Sequence, residues 1–180
     1  MLFRSDFYAR YKILQQTVDR SMPVTVAGFG YVAMRAAGPG DASSLNDRTA
    51  YVTQLLIARK FDRLSLQMMP TFVHKNAVDK AVDTNDQVVI GIGGRYKISR
   101  SIAITSEYYH RLNVKDDNRY KNSVGFGVDI ETGGHVFQLI LANSQTTTER
   151  AFLTESTGDF FNGDIHLGFN VTREIGRAHV

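Results

Sequence analysis

Apolar and polar residues alternate with period two along most of this chain, and the connections between the alternating stretches are by turns very short and long. No other feature constrains the fold as tightly. Side chains at i, i+2 and i+4 of an extended strand share one face, so this period, carried by β-branched and aromatic residues, reads as strand rather than helix. The pattern predicts nine strands, over 7–15, 24–34, 50–60, 64–74, 87–98, 102–112, 123–131, 135–143 and 163–173. Most are about 9 to 12 residues long, close to the ~9–11 that a tilted strand needs to cross a bilayer and longer than the ~5–6 usual in globular sheets. The connections at 61–63, 99–101 and 132–134 are about three residues each, and Gly133-Gly134 supplies the positive φ of a tight hairpin. Between them lie 35–49, 75–86, 113–122 and 144–162, which are long and polar. Such alternation is expected when one rim of a barrel faces the periplasm and the other the exterior. The predicted fold class is an all-β, antiparallel up-and-down transmembrane β-barrel, and the predicted location is the bacterial outer membrane.

Composition narrows the alternatives. Across 180 residues the mean hydropathy is -0.21, and no apolar run approaches the ~20 residues of a spanning helix. A membrane reading has to be a strand reading. Charged residues make up 22% and nearly balance, leaving +3; Lys and Arg are scattered, so no nucleic-acid footprint is read. Zero Cys removes disulfide frameworks, thiolate zinc sites and thiol nucleophiles together.

Period two also assigns faces. Ile165, Leu167, Phe169 and Val171 oppose His166, Gly168, Asn170 and Thr172 in the last strand, and Val124, Phe126, Val128 and Ile130 oppose Gly125, Gly127, Asp129 and Glu131. Val88, Ile90, Ile92, Tyr96 and Ile98 are read as lipid-facing against Gly91, Gly93, Arg95 and Lys97, as are Leu64, Leu66, Met68 and Phe72 against Ser65, Gln67 and Thr71. Apolar-out and polar-in is the barrel pattern. A soluble sandwich alternates too, with the apolar face inward; strand length, loop asymmetry and small inward glycines favour the membrane. Strand 24–34 fits worst, with Val24, Val26 and Val32 on one parity and Phe29 and Tyr31 on the other, and its orientation stays open.

Nine strands conflict with the even number and periplasmic termini of bacterial single-chain barrels, and Met1-Leu2-Phe3-Arg4 does not open a signal peptide. The expectation is a C-terminal fragment with at least one strand missing upstream. At the other end Ile175-Gly176-Arg177-Ala178-His179-Val180 resembles the translation of a sequencing-adapter read-through. The expected division is thus a barrel over 1–175 and a non-native tail over 176–180.

YKILQQT, GIGGRYKIS, EYYHRLN, SVGFGVDIETGGHVFQLILANS and FFNGDIHLGFNVTRE together resemble the DUF5777 outer-membrane barrels of Bacteroidota, over 7–174. The most specific part is VGFGVDIETGGHVFQL followed by GDIHLGFNVTR. The resemblance implies a β-barrel in the outer membrane and an N-terminal region beyond this chain; it implies no catalytic residues.

Candidate chemistry is sparse. Gly91-Ile92-Gly93-Gly94 has the look of a phosphate loop but no helix-forming segment follows it. His110 lies on the parity opposite to Glu107 and Tyr109, and His135 and His166 fall at opposite rims, so no three or four metal donors converge. The lumen-facing charges Arg95, Lys97, Glu107, Arg111, Asp129 and Glu131 fall on consecutive strands and are placed for cross-strand ion pairs. Such a network fills a narrow barrel or lines a wide pore. Tyr11, Tyr31, Tyr51, Phe72, Tyr96, Tyr108 and Phe126 fall mostly near strand ends, as interfacial girdles do. In the longest loop Phe152-Leu153 and Phe160-Phe161 are placed to pack in the loop, fold over the mouth or meet a partner. The functional expectation is a barrel without catalytic, cofactor or metal site, with membrane lipid as partner and a small solute in the lumen as an option. It acts as a passive pore or a plugged structural or receptor barrel. The alternatives are a soluble ligand-binding β protein and an outer-membrane hydrolase.

Overall fold

The computed structural model, which describes residues 4–19, 21–38, 40–81, 83–115, 120–145 and 148–173, is built on one antiparallel sheet. Its strands are β1 (Arg4–Leu14), β2 (Thr25–Arg35), β3 (Thr49–Phe61), β4 (Leu64–Lys75), β5 (Asp86–Lys97), β6 (Ile102–Arg111), β7 (Ser123–Thr132), β8 (His135–Ala142) and β9 (His166–Arg173). They lie side by side in chain order. A sandwich would divide them between two facing sheets, whereas a meander in chain order is the wall of an up-and-down barrel. β1 and β9 are the two edges of this sheet.

The short connections set the register. Gly133 (φ 54°) and Gly134 (φ 90°) are the two central residues of the turn between the paired residues Thr132 and His135, and positive φ at both gives a turn whose twist matches the flanking strands. Asp62, at φ 35°, serves the turn between Phe61 and Leu64. Between β5 and β6 the Ser99 hydroxyl accepts from the backbone N–H groups of Ser101 and Ile102.

A helix, α1 (Glu149–Thr154), packs on β3, β6 and β7 together. β3 and β7 are four strands apart, roughly 19 Å in a flat sheet at ~4.8 Å per strand. Six helical residues span only about 9 Å. The sheet therefore curls around α1, and the face turned to it is the inner one. Tyr31, Val52, Met69, Val73, Val89 and Tyr109 of β2 to β6 form the core there with Leu153 of α1. The opposite face leaves Leu66, Met68, Phe72, Ile90, Ile92 and Ile104 exposed.

Several sequence expectations need correction. The longest loop holds two elements that the period-two pattern does not predict, α1 and a 3-10 helix at Phe160–Asn162. The last strand starts at His166, because Gly163 takes the left-handed conformation that ends the 3-10 helix. Tyr31 is no girdle residue, being on the inner face and 5% exposed. β2 turns Ala27, Phe29, Tyr31 and Ala33 inward, packed into or against the core, which settles the orientation that parity left open. Both of its faces are apolar, because α1 helps to line the inner side with hydrocarbon instead of water. Residues 176–180, the expected tail, lie outside the described residues.

Candidate functional site: the inner face and the filled mouth

The inner face is organised from the short-turn rim to the long-loop rim. Near the short turns, the Arg95 guanidinium of β5 donates from Nε to Asp129 (2.9 Å) and from an Nη to Glu131 (2.7 Å), both on β7. It reaches across β6, where the inward residue opposite Asp129 is Ala103. Lys97 stands 3.8 Å from Glu131, and Gln138 of β8 donates to Asp129 and accepts from Asn170 of β9. Four strands are thereby tied by one polar network whose carboxylates are all compensated, the condition under which charge is tolerated inside a barrel wall.

Glu107 and Arg111, though on the same face, do not join this network. Glu107 sits halfway up β6, lining cavities of about 380 Å³ and about 560 Å³ on the inner face. Arg111, at the long-loop end, donates to the backbone carbonyls of Thr154 (3.3 Å) and Tyr120. Sequence parity placed six charges on one face; the structure groups four of them and sends Arg111 to hold the loop that fills the mouth.

For that loop the sequence leaves packing within the loop, folding over the mouth and a partner open, and its helix is the part sequence reasoning missed. Leu153 of α1 is 1% exposed, inside the core, and Phe152 sets its ring edge-on to Tyr109 at 5.5 Å and 85°. The Ser123 hydroxyl donates to the Phe152 carbonyl. Lys75, at the end of β4 and 3% exposed, anchors the loop's return. Its Nζ lies 3.0 Å from Asp83 and 3.1 Å from Glu155, with the Tyr120 ring 6.0 Å away. Glu155 also takes Arg150 at 2.8 Å. Three of the long loops thus meet at one buried ammonium. The sequence signal available was weak: ERAFLT spans too few residues to show a helical period.

The glycine cluster of β5 has no helix after it; Gly91 and Gly93 face inward with Arg95, and Tyr109 stands opposite Gly91. His110, His135 and His166 are dispersed. His110 is on the outer face, stacked on Tyr108 at 6.3 Å and accepting from Asn122. His135 lies beside the Gly133-Gly134 turn. His166, at the opposite end of its strand pair, lines the larger cavity with Glu107, Ser144 and Glu149. Among the described residues no group of three His, Cys, Asp or Glu is placed to hold a metal. The residues read as lipid-facing, Val124, Phe126, Val128 and Ile130 on β7 with Leu167, Phe169 and Val171 on β9, occupy the face opposite to α1. Ile165 precedes β9 and is exposed.

A single curled meander with an apolar outside and its ion pairs inside is what a membrane barrel requires, and the comparison with known families agrees. A family model described as a membrane-bound beta barrel domain, DUF5777, matches residues 4–175. The chain belongs to that family. No curated protein and no solved structure matches it. A membrane-bound domain excludes the soluble ligand-binding alternative.

Proposed function

We propose that this DUF5777 protein is an outer-membrane barrel whose long-loop mouth is closed by its own last loop, a plugged barrel with a structural or receptor role and no catalytic one. The observation that carries this reading is Leu153, buried inside the mouth on a helix that three inward strands grip. Loops are where barrels carry recognition, so a receptor role belongs to the rim gathered around Lys75. The cavities on the inner face favour a second form of the same reading, in which small solutes pass when α1 is displaced.

Full-length protein in planar bilayers tests it. The native chain is expected to be electrically silent or nearly so, and Leu153→Asp, which unseats α1, to open stable conductance while the heat-modifiable gel shift of a folded barrel is kept. Large steady conductance of the native chain would sink the plugged reading in favour of an open pore. A hydrolase reading draws on His166, Ser144 and Glu107 sharing one cavity wall. Lipid-ester hydrolysis that disappears in His166→Ala would establish it instead.

A further inference from the structure

The loop that fills the mouth does not stay inside it. After α1 the chain climbs back over the rim between β7 and β8, and Asn143 is the point it crosses. Asn143 is 2% exposed and its polar groups are engaged on both sides. Its Oδ1 accepts from the Val124 N–H and its Nδ2 donates to the carbonyls of Asn122 and Gly158, both at 2.8 Å. Its own carbonyl accepts from the Ser156 hydroxyl. The crossing is so close that a Cβ on Gly158 would stand 2.5 Å from the Asn143 carbonyl oxygen, which only glycine tolerates.

Beyond the crossing the 3-10 helix lies on the outer wall. The Phe160 ring is 5.4 Å from the ring of Phe126, which belongs to the outward face of β7, and Phe161 follows edge-on to Phe160 at 5.9 Å and 77°. Val124, on the Phe126 face but nearer the rim, is only 9% exposed, so protein covers the top of the wall there, while Phe126 and Val128 below are only partly covered. Phe161 itself is 90% exposed. The residues around the pair are polar: Asp159 accepts from the Phe161 N–H and from the Asn162 amide, and Asp164 closes the turn onto Asp159. Two phenylalanines projecting beside a short polar turn, next to a lipid-facing row in which Phe126 pairs with Leu141 and Leu141 with Leu167, have the makeup of an interfacial aromatic belt.

We propose that Phe160 and Phe161 form a membrane anchor in the headgroup–acyl boundary on the long-loop side, so that the last loop clips over the rim with its helix in the mouth and its aromatic pair in lipid. The occupant of this surface is bilayer lipid, because the pair continues a face that a membrane-bound barrel already gives to lipid. The inference rests on the membrane-bound barrel and does not require the mouth to be closed.

The chain contains no Trp, so Phe161→Trp gives a single reporter. The full chain carrying it is reconstituted in phosphatidylcholine vesicles whose acyl chains are brominated either near the headgroup or deep in the tail. The expected result is blue-shifted emission, quenched more by the shallow bromines than by the deep ones. Leu45→Trp, on the exposed loop before β3, should emit as in water and stay unquenched. Water-like, unquenched emission from position 161 overturns the proposal. So does blue-shifted emission that bromines do not touch and that rises with protein-to-lipid ratio, which would put a second copy on this surface. Phe160→Trp repeats the test if Phe161→Trp fails to show the heat-modifiable shift. Because conductance is read separately, loss of the anchor leaves the closed-mouth reading standing, and the reverse.

Discussion

Gly91 shows how a single inward position depends on the neighbouring strand. The Tyr109 ring of β6 lies over it in register, and a Cβ there would overlap the ring and stand 3.1 Å from the Met69 Cβ. Tyr109 cannot swing aside freely, since Phe152 blocks one edge and its hydroxyl donates to the Met69 sulfur at 3.2 Å. Gly91→Ala is therefore overpacking, with an expected cost of about 1–3 kcal/mol. The urea midpoint of Gly91→Ala in lipid, read by gel mobility, should fall below that of the native chain by that cost; a native-like midpoint would mean that the ring is not held on the glycine. That Gly91 faces inward was legible from parity. Why it is glycine was not, because the ring above it comes from a strand whose register the local sequence does not encode.

At the level of elements, the plug is held by two kinds of contact with different responses to pH and mutation. Glu149 opens α1 beside Glu107 on the wall of one cavity, and burial raises its pKa above the ordinary Glu value. A carboxyl whose folded pKa is raised binds more protons docked than undocked, so its contribution falls as pH rises. Docking of α1 should be tightest below the ordinary Glu pKa and weaken from there up through the raised value. Proteolytic nicking within 144–162 should then increase with pH across that window, and Glu149→Gln should flatten the response. A nicking rate indifferent to pH in the native chain would exclude Glu149 as the sensor. Lys75 is the other kind of contact. Lys75→Met leaves Asp83 and Glu155 without their shared ammonium, and removing one partner of a buried pair costs about 3–5 kcal/mol. Arg150 still compensates Glu155, which puts the expected loss at the low end. The measurable outcome is a loop that nicks readily on a barrel whose gel shift is retained. The helix escaped sequence reasoning for a physical reason: its stability comes from Leu153 and Phe152 packing on strands distant in the chain, and intrinsic propensity over six residues decides little.

For the molecule as a whole, the readable and unreadable parts of the sequence divide along the two faces of the wall. Lipid demands hydrocarbon along the full height of a strand, so Ile90, Ile92, Phe126 and Val128 announce their side by parity alone. The inner face meets several environments in turn, an ion-pair network near the short turns, open cavity above it, and a protein plug at the top. Its parity signal accordingly runs clean in β7 and fails in β2, where both sides are apolar. The charges Arg95, Asp129 and Glu131 were legible as neighbours because they sit where polar residues interrupt apolar strands, while the separate task of Arg111 depended on a loop that folds back over 40 residues later. The same division yields a test of the membrane placement itself. Val128 lies at the middle of β7 on the outer face, and Val128→Arg puts a cation at the bilayer midplane, costing about 2–4 kcal/mol. Gln138 pairs with Asp129 on the inner face at the same height, and Gln138→Arg places the identical charge beside a carboxylate. Urea titrations in vesicles should find the first variant destabilised by that amount and the second close to native. Equal destabilisation of both would mean that the outer face does not lie against hydrocarbon, and an inverted order would turn the barrel's wall inside out.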